Sequence, residues 1–448
     1  MVACAALLLA VVAATLLHLL YNYSRLKSVS GPIFAAFTDT WRATAQRSSS
    51  SEYGRFLLKL HRKYGIAVRL GPRFVSLSDV GDIARVYHTL LQDEVRRLGQ
   101  EGHLSEQQTV QYEGAADNAM RNLVRTIRRC RTADMTTLLH FFADEVNTRL
   151  FWSACASPAA SSASSRTQRT QPSSSPFVTI EELVLRGPVA LLKRERLSCY
   201  CFSGDVSATI YGNDPVLHTG PGASRKLAIT APDGFILAAS LESITKTFVS
   251  VFFFLLHNPR IMRRLRREIE NMPRFRSRTN LPSSRDLGGL SYLDAVFKET
   301  MRLVILQSQP TEVRVTSESL YISSKHIPCG TVLSWHPHVV LTDDSIYEND
   351  PYMFRPERWL IPNRHRRALM EESLLPFMVC RTYHPRLEAA WMLLKKAVVV
   401  LLREFCDINL TQTEGQAAAD GLELPPPPML IEFTPRPATD RDFVGQLL

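Results

Sequence analysis

Between Asp233 and Pro259 the chain reads DGFILAASLESITKTFVSVFFFLLHNP. A helix through this run is apolar on nearly every side. It has no face to give to water, so other elements must surround it. That demand points to one large helix-rich domain, and 448 residues with 45% apolar content can supply it. Asn258 and Pro259 end the run, because proline cannot continue a helix.

The segments that follow are shorter and more polar. Ile261 to Met272 reads as a basic surface helix, and Leu290 to Ile305 as a further helix opened by a Ser291 cap. EVRVTS, LYISS and TVLSWHP, the last after the turn IPCG, read as short strands. FRPERW reads as a loop, and FCDINL and MLIEFTP as closing strands. The expected fold class is therefore mainly α with small β-sheets. Pro425 to Pro428 form an extended connection. Ser157 to Pro176 is Ser-rich with little to bury, which predicts a mobile loop over 157–176. Residues Leu183 to Leu227 carry too weak a periodicity to assign, and no internal repeat is visible.

At the start, Val2 to Leu20 is almost wholly apolar and about as long as a helix that crosses a bilayer. Arg25 and Lys27 follow it and nothing basic precedes it, which orients the remainder toward the cytosol. The expectation is a transmembrane anchor over 2–20 and a folded domain over 21–448, the two separated by Ser30-Gly31-Pro32. Net charge is +10, but the basic residues are scattered with no basic-aromatic module, which argues against nucleic acid as a partner. The eight cysteines are dispersed, with no CxxC pair for zinc, as suits a reducing compartment.

Two motifs carry the chemistry of the fold. In KETMR, Glu299 and Arg302 stand three apart and share a helix face. In FRPERW, Arg358 is placed to join the same carboxylate. A buried Arg–Glu–Arg group is stable only when fully satisfied, and then it fixes one geometry. YLDAVFKETMRL, IPCGT and DPYMFRPERWL together resemble the haem-thiolate monooxygenases, the cytochrome P450 family. The resemblance runs from about Phe235 to Glu404 and is weak from Leu91 to Pro232; SGPIFAAFTDTWR looks like fungal members. It implies the P450 fold, haem b, a small lipophilic substrate and an NADPH-dependent reductase. It also implies a single-pass place in the endoplasmic reticulum membrane, with the domain in the cytosol. Ala239, Ser240, Leu241, Glu242 and Ser243 match the family's small-small-x-acid-alcohol pattern, so the resemblance makes Glu242 and Ser243 a proton relay to dioxygen. Arg314 in EVRV resembles the arginine that pairs with a haem propionate; a surface arginine on an edge strand is the other reading.

The family's ligand loop fits less well. Laid on without gaps, Phe377 takes its Phe position and Ala390-Trp391 the helix end. Cys380 then falls on the first Gly, Thr382 on the Arg, His384 on the cysteine ligand and Arg386 on the second Gly. Three readings stay open: His384 ligates iron, Cys380 ligates after a shift of the loop, or no haem is bound. Arg381, Arg386, Lys395, Lys396 and Arg403 cluster nearby, either as a reductase-docking face or as a solvated helix face. The expected function is oxidation of a small lipophilic compound in fungal secondary metabolism. The alternative is a non-catalytic pseudoenzyme that keeps the P450 fold.

Overall fold

A computed structural model describes residues 2–47, 49–86, 89, 106–139, 142, 145–146, 247–272, 281–315, 319–348, 350–374, 385–411 and 429–436. The helices that matter here are α1 (Val2–Arg25), α2 (Ser50–Tyr64), α3 (Glu106–Cys130), α4 (residues 247–257), α5 (Pro259–Glu270), α6 (Ser291–Ile305), α7 (Arg364–Leu374) and α8 (Pro385–Glu404). The strands are β1 (Ala67–Gly71), β2 (Phe74–Leu77), β3 (Thr132–Asp134), β4 (Thr311–Arg314), β5 (Leu320–Ile322), β6 (Lys325–Ile327), β7 (Val332–Trp335), β8 (Phe405–Leu410) and β9 (Leu430–Pro435). The mainly helical reading with small sheets holds. The serine-rich stretch 157–176, residues 183–227 and the prolines 425–428 lie outside the described residues.

Helix α4 meets the demand its composition makes. Phe248, Val249, Val251, Phe252 and Leu255 enter one apolar core, shared with α3 and α8. Phe254 points into a second core, shared with α6 and the strand β7. Phe254 also stacks on Phe354 of the FRPERW segment at 4.5 Å and 9°. The helix stops at residue 257; Asn258 bonds back to the Phe254 carbonyl, and Pro259 opens α5.

Strands β1, β2, β7 and β4 form one sheet in that order, with β2 and β7 parallel and the other pairs antiparallel. Strands β3, β9 and β8 form a second sheet, and β5–β6 a hairpin. The closing strands are paired in antiparallel fashion, as their sequences suggest.

Two expectations need correction. The apolar run 2–20 is helical, but the transmembrane helix expected there is not found: among the described residues no helix is long and apolar enough to cross a membrane. The run is the first part of α1, whose last turns belong to the folded body. Arg69 of β1 donates to the carbonyls of Asn22, Tyr23 and Ala36, and Leu26 is buried behind it. Nor is Ser291 the cap of α6. It is the first helical residue, and the open amides are met from outside. The Glu268 carboxylate of α5 accepts from the amides of Tyr292 (2.7 Å) and Leu293 (2.9 Å). A carboxylate at a helix N-terminus also answers the helix dipole.

Candidate functional site

The ExxR spacing does what helical geometry allows. Glu299 and Arg302, both fully buried on α6, face each other across one turn. Arg302 grips the carboxylate with both prongs, Nε at 3.0 Å and Nη2 at 2.8 Å. Its other N–H groups reach the carbonyls of Leu341, Pro351 and Met353, so all five donors are used. Arg358, in the 3-10 turn Pro356–Leu360, donates to the same carboxylate at 2.9 Å. Its Nη atoms reach the Tyr347 and Asp350 carbonyls. The backbone amide of Arg355 (3.1 Å) and the indole of Trp359 (2.9 Å) complete the set. Glu299 thus accepts five bonds from four residues.

Electrostatics follow from that geometry. Burial alone raises the Glu299 carboxyl, but Arg302, then Arg358 and the Arg355 amide, outweigh it and hold it below the usual carboxylate range. The Tyr347 ring lies under both guanidinium groups, 4.9 Å from Arg302 and 6.0 Å from Arg358. Its hydroxyl shares a 2.6 Å bond with Ser373 of α7, and burial pushes it well above the ordinary phenol range. The group therefore ties α6, the segment 341–359 and α7 into one body. The Tyr347 ring and the five carbonyls were not legible in sequence. Nor was the role of Trp359, although it stands beside Arg358 in the same motif.

A second buried polar cluster lies at the end of β7. His336 and His338 are 0% and 5% exposed. The amide of His338 donates to His336 Nδ1, and His338 Nε2 meets the Tyr352 hydroxyl at 3.0 Å. Burial pushes both rings down to about 4. Tyr352 sits beside Pro351 and Met353, whose carbonyls serve Arg302.

The other expected site residues divide cleanly. Glu242, Ser243, Cys380 and His384 lie outside the described residues. Arg314 is exposed on β4, as the edge-strand reading has it. The basic cluster is largely committed within the fold. Lys396 is 2% exposed and paired with Asp117 of α3, and Lys395 pairs with Asp294 of α6 at 2.6 Å. Arg403 donates to the Met272 carbonyl. Neither a docking face nor a solvated face describes these lysines, because their charges are used to hold helices together. Among the described residues no group of three or more His, Cys, Asp or Glu could hold a metal ion.

The donors available for a haem iron are chemically apt, since thiolate and imidazole both ligate it. The described framework begins directly after them. Helix α8 starts at Pro385, directly after His384, and Trp391 packs edge-on against Phe297 of α6 at 5.2 Å. The chain that follows the donors therefore lies against the helix that carries Glu299.

Residues 227–379 match the model of the Cytochrome P450 family. Over that stretch, about a third of its length, the chain is similar to the cytochrome P450 family. Its match covers Glu242 and Ser243 and ends one residue before Cys380. Among relatives, a Cytochrome P450 monooxygenase of Aspergillus terreus is 25% identical over 457 residues, covering 87% of this chain and 92% of that protein. The Cytochrome P450 monooxygenase TRI4 of Trichoderma arundinaceum is 34% identical over 161 residues, 35% of this chain and 30% of TRI4. The Cytochrome P450 monooxygenase phqM of Penicillium fellutanum is 36% identical over 151 residues, 32% of this chain and 28% of phqM. The chain thus spans about a third or less of the length of TRI4 and phqM.

Proposed function

We propose that this P450-like chain is a haem-dependent monooxygenase that oxidises a small lipophilic compound in fungal secondary metabolism. The observation that carries the reading is the Glu299–Arg302–Arg358 group, complete to its last guanidinium donor on Arg302 and bonded to both the α6 and FRPERW motifs. The fungal monooxygenases similar to this chain support the same reading. When bound, haem supplies the redox chemistry that activates dioxygen. The chain's own part is then proton handling and ligation. Glu242 and Ser243 would supply an acid and an alcohol for passing protons inward. His384 would hold the haem iron, with Cys380 as the alternative donor, and Arg314 would pair with a propionate. Electrons come from NADPH through a reductase.

For location we propose the cytosolic face of the endoplasmic reticulum. The α1 side chains Leu9, Leu16, Leu17 and Leu20, each more than half exposed, support contact with lipid there. Fractionation of cells expressing the full chain tests it; recovery in the soluble fraction refutes it.

The decisive experiment is purification with haem supplied, followed by the spectrum of the reduced protein with carbon monoxide. Haem retained with an imidazole-type spectrum supports His384. A thiolate-type band overturns that assignment in favour of Cys380. No haem absorbance overturns both and leaves a P450 fold without its cofactor.

A further inference from the structure

Helix α8 follows the segment with the ligand candidates, and its packing surface is almost featureless. Ala397, Val398, Val399, Val400, Leu401 and Leu402 are all at most 1% exposed. Apolar attraction has no direction, and interchange among aliphatic side chains of similar volume is tolerated. Such a helix is strongly held yet weakly told where along its axis to stop.

Charges supply the missing instruction. Lys396, 2% exposed, pairs with Asp117 of α3. Two turns on, Glu404 pairs with Arg128 of the same helix. The polarity is reversed between the two rungs: base to acid at the first, acid to base at the second. Sliding α8 by one turn takes Lys396 from Asp117 and Glu404 from Arg128 together and leaves buried charges unmet, which penalises the wrong register. The neighbouring Lys395 reaches a different helix, pairing with Asp294 of α6 at 2.6 Å. Two consecutive lysines on two separate helices fix rotation as well as axial position. A buried lysine left unpaired is costly, so the Lys396–Asp117 contact cannot be given up cheaply.

We propose that the Lys396–Asp117 pair, with Glu404–Arg128, pins the register of α8 and so sets where Pro385 delivers the chain from the Cys380–His384 segment. These are positioning residues. A slip of one turn would move that delivery point by about 5.4 Å. The register claim stands on the ion pairs alone, and its consequence for cofactor binding rests on the haem reading above.

Hydrogen exchange of the full chain, read by mass spectrometry over 385–404, tests the register, and the haem spectrum tests its consequence. The variant K396M/D117L replaces the pair with apolar side chains, a change that such pairs commonly survive. The swap K396D/D117K keeps the pair and reverses it. With K396M/D117L folded by circular dichroism, we expect two isotope envelopes, or exchange at least tenfold faster over 385–394. The swap should return one slow envelope. Haem supplied to K396M/D117L should give a broadened or split absorbance band. Wild-type exchange in a folded K396M/D117L overturns the proposal, as does a folded swap that fails to restore it. If wild-type protein takes up no haem but exchange behaves as expected, the pin stands and the haem reading falls. If wild-type protein binds haem and the apolar variant matches it in exchange and spectrum, the reverse holds.

Discussion

Replacing Glu299 by Gln isolates the charge at the centre of the buried group. The side chain keeps its size, but one oxygen becomes an amide that can only donate. Oε1 accepts from Arg302, Arg355 and Arg358, so the amide costs least at Oε2. There it still faces Arg302 Nε and Trp359 Nε1, both donors, and leaves both unmet. Each unmet buried donor costs about 1–3 kcal/mol. Two guanidinium groups also lose their shared counter-ion. The sum falls within the ~3–5 kcal/mol typical of breaking a buried ion pair from one side. Against a total stability of about 5–15 kcal/mol this is a large loss. Urea unfolding at neutral pH, followed by far-ultraviolet circular dichroism, should show a much lower midpoint with little change in slope. The control is Glu371→Gln, which breaks the half-exposed Lys298–Glu371 pair and should shift stability by no more than about 1 kcal/mol. If E299Q moves no further than E371Q, the group does not hold the fold together, and the reasoning from its geometry fails.

Three further outcomes follow from the same structure. Glu268→Ala removes the carboxylate that meets the first amides of α6 and should cost about 1 kcal/mol, seen as a lower unfolding midpoint. Gly54→Ala should cost about 1–3 kcal/mol, because the new methyl carbon would lie 2.5 Å from His338 Cβ and must push α2 off the histidine pair; a midpoint at or above wild type would refute that packing. His336 is held down to about 4, chiefly by burial and then by His338, whereas the unfolded ring titrates at about 6.5. Its neutral form therefore contributes fully above about pH 6.5, and the contribution, on the order of 3 kcal/mol, is lost as pH falls from there to about 4. Stability measured across that window should fall with pH, and His336→Asn should flatten the slope.

Much of the fold could be read from local pattern. The all-round apolar run of α4 required a central helix, and two separate cores claim its faces. The i, i+3 spacing of Glu299 and Arg302 required a shared face, and Arg358 does reach the same carboxylate. These readings succeed because helical periodicity and charge pairing within a turn are properties of short segments. What failed depended on distant partners. Ser291 has the residue type of a cap, yet a carboxylate 23 residues earlier does the capping. Lys395 and Lys396 look like part of a docking or solvated face until α6 and α3 bring acids to them.

The sequence by itself determined the helix-rich class, the family resemblance and the three charged residues of the buried group, because each is written in periodicity or in short motifs. Only the tertiary structure decided that Arg302 is satisfied by three carbonyls from residues 341–353, that α1 ends inside the body rather than free of it, and that the lysines of α8 are clamps. Those outcomes turn on which oppositely charged or carbonyl-bearing groups arrive from elsewhere. A local pattern can declare that a buried charge needs a partner, but only the packed chain says which one.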